Sequence, residues 1–525
     1  MNQNTKPRTL FVFPPSTVFE GDPTVPAVTP ALGLAYLAAY LEKFNYPVKI
    51  LDTVAEGGKR ELKKEKKTVY GLADEEIATE IKRSAPDIVG ISCLYTAYAG
   101  DAHRVAAIVK KVNPSILVVF GGAHATIFPE MTLKDKNVDM VVMGEGEEVL
   151  LEIVRNFPDR TKLKKISGTV TKDGGKIIRN NQRESLKDLD EIPFPAWHLL
   201  PMRKYLDYPD YRFSMRRPGF PLITSRGCPG RCNYCSIHSV WGHTWRGRSP
   251  ENVVAEIKHL QDKFGIREIF FFDDSLGASK KRLAAICDEI IKRKLNLKWT
   301  TPNGIAHWTL DENLLLKMKK AGCYRITFGI ESGNAQIRRY LGKPYDLQQA
   351  KKMIKFANKI GMWTLCTFII GFPKETRDQV KDTIKFAIDC ETDLAVFYLL
   401  CPHPGTQVYE DFKRFGLLNL DYLFLANESL SPEQYSTAGR ILAGRGAKTV
   451  NFSSEELQEI VSGAYKEFFR KRVIDFLNPL RMAQKMHSWE DLSYLLKISS
   501  NIFKIIFSSF QKKSFFSQTL RRNNQ

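Results

Sequence analysis

The strongest constraint on how this chain folds is a rhythm that occurs twice: a short apolar strand, then an amphipathic helix, repeated several times. In the first run, strands read at Leu10–Phe13, Val48–Leu51, Ile88–Ser92, Ile116–Phe120 and Met140–Met143, with helices at Leu32–Lys43, Asp74–Ser84, Asp101–Val112 and Glu147–Asn156. Strands alternating with helices pair in parallel, because each helix carries the chain back across the sheet. This predicts an α/β fold that opens with a Rossmann-like, doubly wound parallel sheet, with ligands beyond the carboxyl ends of its strands. The second run has strands at Leu222–Ser225, Glu268–Phe272, Lys298–Thr301, Arg325–Ile330, Leu365–Ile370 and Ala395–Leu400. Its helices begin on Ser249-Pro250, on Asp346 with Gln349, and on Thr376 with Gln379, all N-terminal capping signals. Six such units predict a (βα)6 partial TIM-type barrel with its site at the strand carboxyl ends.

Residues Lys164–Asn180 read as a hairpin turning at Asp173-Gly174-Gly175. Ile192-Pro193-Phe194-Pro195 reads as an extended linker, since proline holds itself and its predecessor out of a helix. The expected division is 8–160 for the first sheet domain, 161–215 for hairpin and linker, 216–410 for the barrel and 411–525 for a helical C-terminal region. In that last region Leu492, Leu495, Leu496, Ile502, Phe503, Ile506 and Phe510 share one helical face, followed by Lys512, Lys513, Arg521 and Arg522. Such a segment packs on the barrel, lies in a membrane interface or forms a disordered tail. The formal charge of +20 allows polyanion binding but does not require it, so nucleic acid is not the expected partner. Met1–Arg8 has no apolar signal region, no stretch is long enough to span a bilayer, and the nine cysteines are odd in number. These features suit a reducing cytoplasm, with peripheral membrane contact through the C-terminal helix as an option.

Three of the cysteines are clustered. The first barrel strand runs into Thr224-Ser225-Arg226-Gly227-Cys228-Pro229-Gly230-Arg231-Cys232-Asn233-Tyr234-Cys235, a C-x3-C-x2-C spacing. Three thiolates on one short loop can converge on one metal centre. A four-iron cluster normally takes four cysteines, so three would leave one iron open to a substrate. The alternative is structural zinc, with His238 completing a Cys3His set.

The loop, with aromatic Tyr234 before its last cysteine, resembles the radical S-adenosylmethionine superfamily. The resemblance implies that Cys228, Cys232 and Cys235 hold a [4Fe–4S] cluster and are the catalytic ligands. The methionine part of S-adenosylmethionine would chelate the open iron, and one electron would release a 5′-deoxyadenosyl radical that abstracts hydrogen from an unactivated carbon. It further implies S-adenosylmethionine contacts from Tyr234, from Asp273 and Asp274 ending the second strand, from Glu331 and Ser332 ending the fourth, and from Gly371 ending the fifth. The usual glycine four residues before Gly371 is Thr367 here.

The first domain resembles the cobalamin-binding domains fused to many such enzymes, through Phe13-Pro14-Pro15, the run from Thr29 to Leu37, Gly121-Gly122-Ala123-His124-Ala125-Thr126 and Gly144-Glu145-Gly146-Glu147. The implied cobalamin contacts are Pro15, Leu32, Gly33, Ser92, Gly121, Gly122, His124, Thr126, Gly144, Glu145 and Gly146. The Asp-x-His-x-x-Gly motif is absent, because Cys93-Leu94-Tyr95-Thr96-Ala97-Tyr98-Ala99-Gly100 follows Ser92. His124 then touches the corrin periphery or the cobalt. Cys401 and His403 are candidate substrate contacts, and Tyr398 is a radical partner or a core tyrosine. The implied function is methylation of an unactivated carbon in an apolar or natural-product-type small molecule, with flavodoxin or ferredoxin as reductant. The alternatives are a cobalamin-dependent radical cyclase or oxidative rearrangement of a tetrapyrrole or lipid, and a cobalamin- or RNA-binding protein with a structural cluster.

Overall fold

The computed structural model describes residues 6–19, 28–62, 67–207, 214–343, 345–418 and 446–500. The N-terminal strands are β1 (Thr9–Phe13), β2 (Ser16–Phe19), β3 (Val48–Asp52), β4 (Gly58–Leu62), β5 (Lys67–Gly71), β6 (Ile88–Ser92), β7 (Leu117–Gly121), β8 (Met140–Val142), β9 (Thr169–Asp173) and β10 (Lys176–Arg179). Their main sheet has the order β10-β9-β8-β7-β6-β1-β3. From β3 to β8 it is parallel, in the order of flavodoxin-like domains, so the chain direction switches between β1 and β6.

Alternate residues of β1 serve the two faces. Leu10 and Val12 pack with Ile77, Ile81, Val105 and Val109 of the helices Asp74–Ser84 and Ala99–Val112. Phe11 packs with Leu34, Leu41, Val149 and Ile153 of Leu32–Lys43 and Glu147–Asn156. Gly90 is registered beside Phe11, and a β-carbon on it would lie 2.6 Å from the phenyl ring.

The barrel strands are β11 (Gly219–Leu222), β12 (Ser225–Arg226), β13 (Arg246–Gly247), β14 (Glu268–Phe271), β15 (Lys298–Thr300), β16 (Cys323–Glu331), β17 (Trp363–Ile370) and β18 (Leu394–Leu399). Six of them form one sheet in the order β11-β14-β15-β16-β17-β18, every pair parallel, which is the expected partial barrel. Its first strand starts three residues before the predicted Leu222. Pro221 is tolerated inside β11 because this is an edge strand, where a missing N–H costs nothing. Ser225-Arg226 instead pairs antiparallel with Arg246-Gly247.

Two departures concern the first domain. The hairpin, expected to stand with the linker between the two sheets, is β9–β10. Its outer strand lies at the sheet edge, β9 pairs antiparallel with β8, and Gly174 and Gly175 take φ of 53° and 83° at the turn. Burial of Thr169, Val170 and Thr171 against the sheet draws it in. A second, antiparallel sheet, β2-β5-β4, was not anticipated.

The helix Ser454–Phe476 lays Leu457, Ala464 and Phe468 into the barrel core. Farther on, Tyr494 packs on Tyr324 and Trp363 and covers the amino-terminal ends of β16 and β17. The C-terminal region thus packs on the barrel as far as residue 500, while Ile502, Phe503, Ile506 and Phe510 lie outside the described residues. Among those residues no helix is long and apolar enough to cross a membrane.

Candidate functional site

The cysteine loop leaves the barrel from a segment bonded at every residue. Asp273, 1% exposed at the end of β14, accepts hydrogen bonds from Thr224 N at 2.7 Å, Thr224 Oγ1 at 2.6 Å and Ser225 Oγ at 2.6 Å. The expected contact of Asp273 with methionine is therefore corrected: its carboxylate is committed to the strand that launches the loop. Asp274 is the acid that opens on the cleft, although protein walls surround it. Burial and the neighbouring Asp273 push its pKa up to about 6, while the Gly227 N–H moderates the rise.

Gly227 takes φ of 80°, and a β-carbon there would meet Thr244 O at 2.1 Å. A β-carbon on Gly230 would lie 3.3 Å from Cys228 Sγ and 3.8 Å from Cys232 Sγ, so the first two thiols flank this glycine closely. All three cysteines are free thiols of intermediate exposure. Burial pushes Cys235 up to about 11, and Cys232, Cys228 and Asp274 add to the rise. Such thiols become thiolates only against a cation, as metal ligation requires.

Among the described residues no three histidine, cysteine or acidic side chains gather closely enough to share one metal ion. His238, the proposed zinc ligand, stacks on His243 at 4.0 Å, with its Nδ1 3.3 Å from Gly242 O. A multi-iron cluster takes thiolates spread more widely than the ligands of a single ion, and this donor set fits it.

Glu331 ends β16 at a register shift and takes φ of 65°, a strained conformation for a side chain of this size. Its Oε1 accepts from Lys343 Nζ at 2.7 Å, and Lys343 lies 5.7 Å from the Tyr234 ring. Burial alone would lower the Lys343 ammonium, but Glu331 beside it holds it well above its ordinary value. Its charge in turn offsets part of the burial that raises Cys232. Sequence reasoning missed Lys343, which lies in a loop and carries no motif.

Ser332 is fully buried, with Oγ 3.0 Å from Thr383 Oγ1, so it braces the bend and does not face the cleft. Gly371 takes φ of 103° under Leu457 of the C-terminal helix, and its N–H donates to Glu375 Oε2 at 2.7 Å. Glu375 is buried, and burial raises its pKa to about 7. Both Ser332 and Gly371 therefore shape the rim from behind.

The first domain presents the carboxyl ends of its strands to this loop. A β-carbon on Gly405, after β18, would meet Ser239 Oγ at 2.6 Å and Ile127 of the first domain at 3.9 Å. One on Gly144, after β8, would lie 3.7 Å from Val240 O.

Several expected cobalamin contacts serve packing instead. Pro15 is buried against Gly71, and Leu32 lies in the barrel core. Gly146 abuts Leu37, and Gly122, at φ of 105°, rides over Cys93 O. Thr126 Oγ1 donates to Gly122 O at 2.9 Å and accepts from Gly144 N at 3.1 Å, bracketing the two loops. His124 is 2% exposed, with Nδ1 3.1 Å from Thr96 Oγ1, and burial lowers its pKa to about 3. It is a neutral interior group whose Nδ1 is taken up with Thr96 beside the loop. Glu145 turns to Arg226 and Arg246 of the barrel. Gly33 and Gly121 stand beside open space, Ser92 ends β6 half-buried, and Leu94 and Tyr95, missed earlier, are 42% and 62% exposed just after it.

Cys401 and His403 follow β18. Burial pushes the Cys401 thiol up to about 12 and lowers the His403 imidazole, which holds both side chains neutral. Tyr398 is 53% exposed, not a core tyrosine.

The model of the radical SAM superfamily matches residues 222–387, and that of the B12 binding domain matches 23–154. An uncharacterised methyltransferase of Pyrococcus horikoshii is 36% identical, over 84% of this chain and 88% of its own length. Cytidylyl-2-hydroxyethylphosphonate methyltransferase of Streptomyces wedmorensis is 32% identical, over 78% and 83%. Anaerobic magnesium-protoporphyrin IX monomethyl ester cyclase of Rubrivivax gelatinosus is 28% identical, over 77% and 70%. The methyltransferase TsrM of Kitasatospora setae, solved with cobalamin and a [4Fe–4S] cluster, shares the fold at a TM-score of 0.67 and 16% identity, over 89% of this chain and 91% of that one.

The chain belongs to the radical S-adenosylmethionine superfamily and carries a B12-binding domain. It is an enzyme whose cofactors are a [4Fe–4S] cluster, S-adenosylmethionine and cobalamin, and the reading of a non-catalytic binding protein gives way.

Proposed function

We propose that the enzyme moves a methyl group onto an unactivated carbon of a small, largely apolar molecule. The observation that carries this reading is the meeting of two carboxyl-terminal rims: the segments that follow β7, β8 and β18 lie against the residues just past the cysteines. When bound, S-adenosylmethionine on the cluster supplies a carbon-centred radical, and cobalamin supplies a methyl group. The chain contributes placement. Cys228, Cys232 and Cys235 hold the cluster, with Lys343 balancing charge beside Cys232. Asp274 accepts the methionine ammonium. Leu94, Tyr95, Gly33 and Gly121 offer the flat, uncharged surface a macrocycle rests on. Tyr398, Cys401 and His403 line the side where substrate enters. Holding all components in one cleft makes the transfer effectively intramolecular.

Two relatives named as methyltransferases support this reading, and the match to the cyclase of Rubrivivax gelatinosus supports ring formation as the second. Electrons would come from a flavodoxin- or ferredoxin-type donor. The test is anaerobic reconstitution with iron, sulfide, cobalamin and reductant, followed by mass spectrometry of cell extracts. A product heavier by one methylene is expected, whereas a loss of two hydrogens replaces the reading with cyclisation. Cys232→Ala is expected to abolish 5′-deoxyadenosine formation while cobalamin stays bound, and unchanged cleavage in that variant refutes the cluster assignment.

A further inference from the structure

The four residues before Gly227 are each held from outside the loop. Ile223 O accepts from Tyr36 Oη at 3.2 Å and from Arg248 Nη1 at 3.1 Å. Thr224 O accepts from Arg282 Nη2 at 2.6 Å, while Asp273 takes the N–H of Thr224 and the hydroxyls of Thr224 and Ser225. Arg226, two residues before the first cysteine, is the last of the four. Its guanidinium donates to Glu147 Oε1 at 2.5 Å and Glu145 Oε2 at 3.2 Å, between the rings of Tyr36 and Trp241, each 5.7 Å away. Arg246 of the paired strand β13 reaches the same Glu145.

Tyr36, Glu145 and Glu147 all belong to the first domain. Glu145 lies in the turn after β8, whose Gly144 also lies under Val240, just past the cysteines, and Glu147 opens the helix that follows. The side chains are 11% exposed for Arg226, 8% for Glu145 and 4% for Glu147, so solvent screens them little. Buried ion pairs repay their desolvation poorly, and their best-attested use is to fix register between elements.

We propose that Arg226 is a positioning residue. Gripped by Glu147 and Glu145, it registers the cysteine loop against the first domain, so that an ion pair sets the separation of the iron–sulfur and corrin centres. The proposal rests on the reading that both cofactors bind, and its test separates the two.

Full-length protein is reconstituted with iron, sulfide and cobalamin, then reduced so that cluster and cob(II)alamin are both paramagnetic. Pulsed dipolar EPR reads their separation. Wild type is expected to give one narrow distance. Glu147→Gln, and more mildly Glu145→Gln, broaden or shift it at unchanged cofactor content, and the reversed pair Arg226→Glu with Glu147→Arg narrows it again. The control is Glu152→Gln on the same helix, whose partner is the surface Arg183. It leaves the distance as in wild type. A lower melting temperature with an unaltered distance in loaded Glu147→Gln protein overturns the proposal and leaves the ion pair as structural glue. Wild type that takes up no cluster or no cobalamin overturns the two-cofactor reading and the proposal with it.

Discussion

Glu268 opens β14 with its carboxylate fully buried, accepting from the backbone N–H of Met215 and Arg216 and from the Tyr324 hydroxyl. Burial raises its pKa from 4.5 to about 7. The folded protein therefore binds this proton more tightly than the unfolded chain does. The stability it contributes is complete below pH 4.5 and is lost as pH rises through 7, by up to ~3 kcal/mol. Glu268→Gln copies the protonated acid: one amide oxygen accepts both backbone groups and the amide nitrogen donates to Tyr324. Denaturant titrations between pH 5 and 8 are expected to show a flatter stability profile for this variant, and an unchanged slope rules out Glu268 as its source. The acidic strand ends show what residue type alone conveys. Asp273 and Asp274 are adjacent in sequence and alike in charge, yet one is committed to Thr224 and Ser225 and the other opens on the cleft. That division depends on which way β14 points its last side chain, and no spacing rule encodes it.

The long elements were legible because their periodicity is strong. All six barrel strands and the helices Leu32–Lys43, Asp74–Ser84 and Glu147–Asn156 fall where alternation places them, within a few residues at the ends. The small antiparallel sheet was not, because its strands are short and β2 lies far back in the chain from its partner β5. The hairpin β9–β10 was legible as a turn but not as a sheet edge, since its partner β8 lies far back in the chain. The cysteine loop was legible outright. Its supports Lys343, Arg226 and Glu147 were not, because each acts across a long sequence separation. Helix Ser454–Phe476 ties the C-terminal region to the rim of β17 through Leu457, which is 1% exposed and covers Gly371. Leu457→Ala is expected to cost about 2–5 kcal/mol by emptying that contact. Thermal unfolding checks this, and a loss within experimental error would mean that the helix does not brace the rim.

On the whole molecule, large apolar side chains stand exposed in one stretch of the C-terminal region: Val473 at 61%, Leu477 at 78%, Leu480 at 75%, Trp489 at 85% and Leu496 at 63%. Exposed Lys466, Arg470 and Lys471 lie just before it. Exposed apolar side chains near basic residues suit an anionic lipid surface. Flotation with phosphatidylglycerol vesicles is expected to carry the full chain, and neutral phosphatidylcholine vesicles to leave it behind. Combining Leu477→Ser, Leu480→Ser and Trp489→Ser is expected to release it. Failure to float with either lipid rejects the idea, and concentration-dependent dimers lost in the triple variant would identify a second copy as what covers the face.

Tyr494 also decides traffic. Packed against Tyr324 and Trp363, it fills the barrel's foot under β16 and β17 with rings set edge to face. That leaves the opposite rim, where the cysteine loop sits, to serve both arrivals and departures, so that turnover becomes a queue at one doorway.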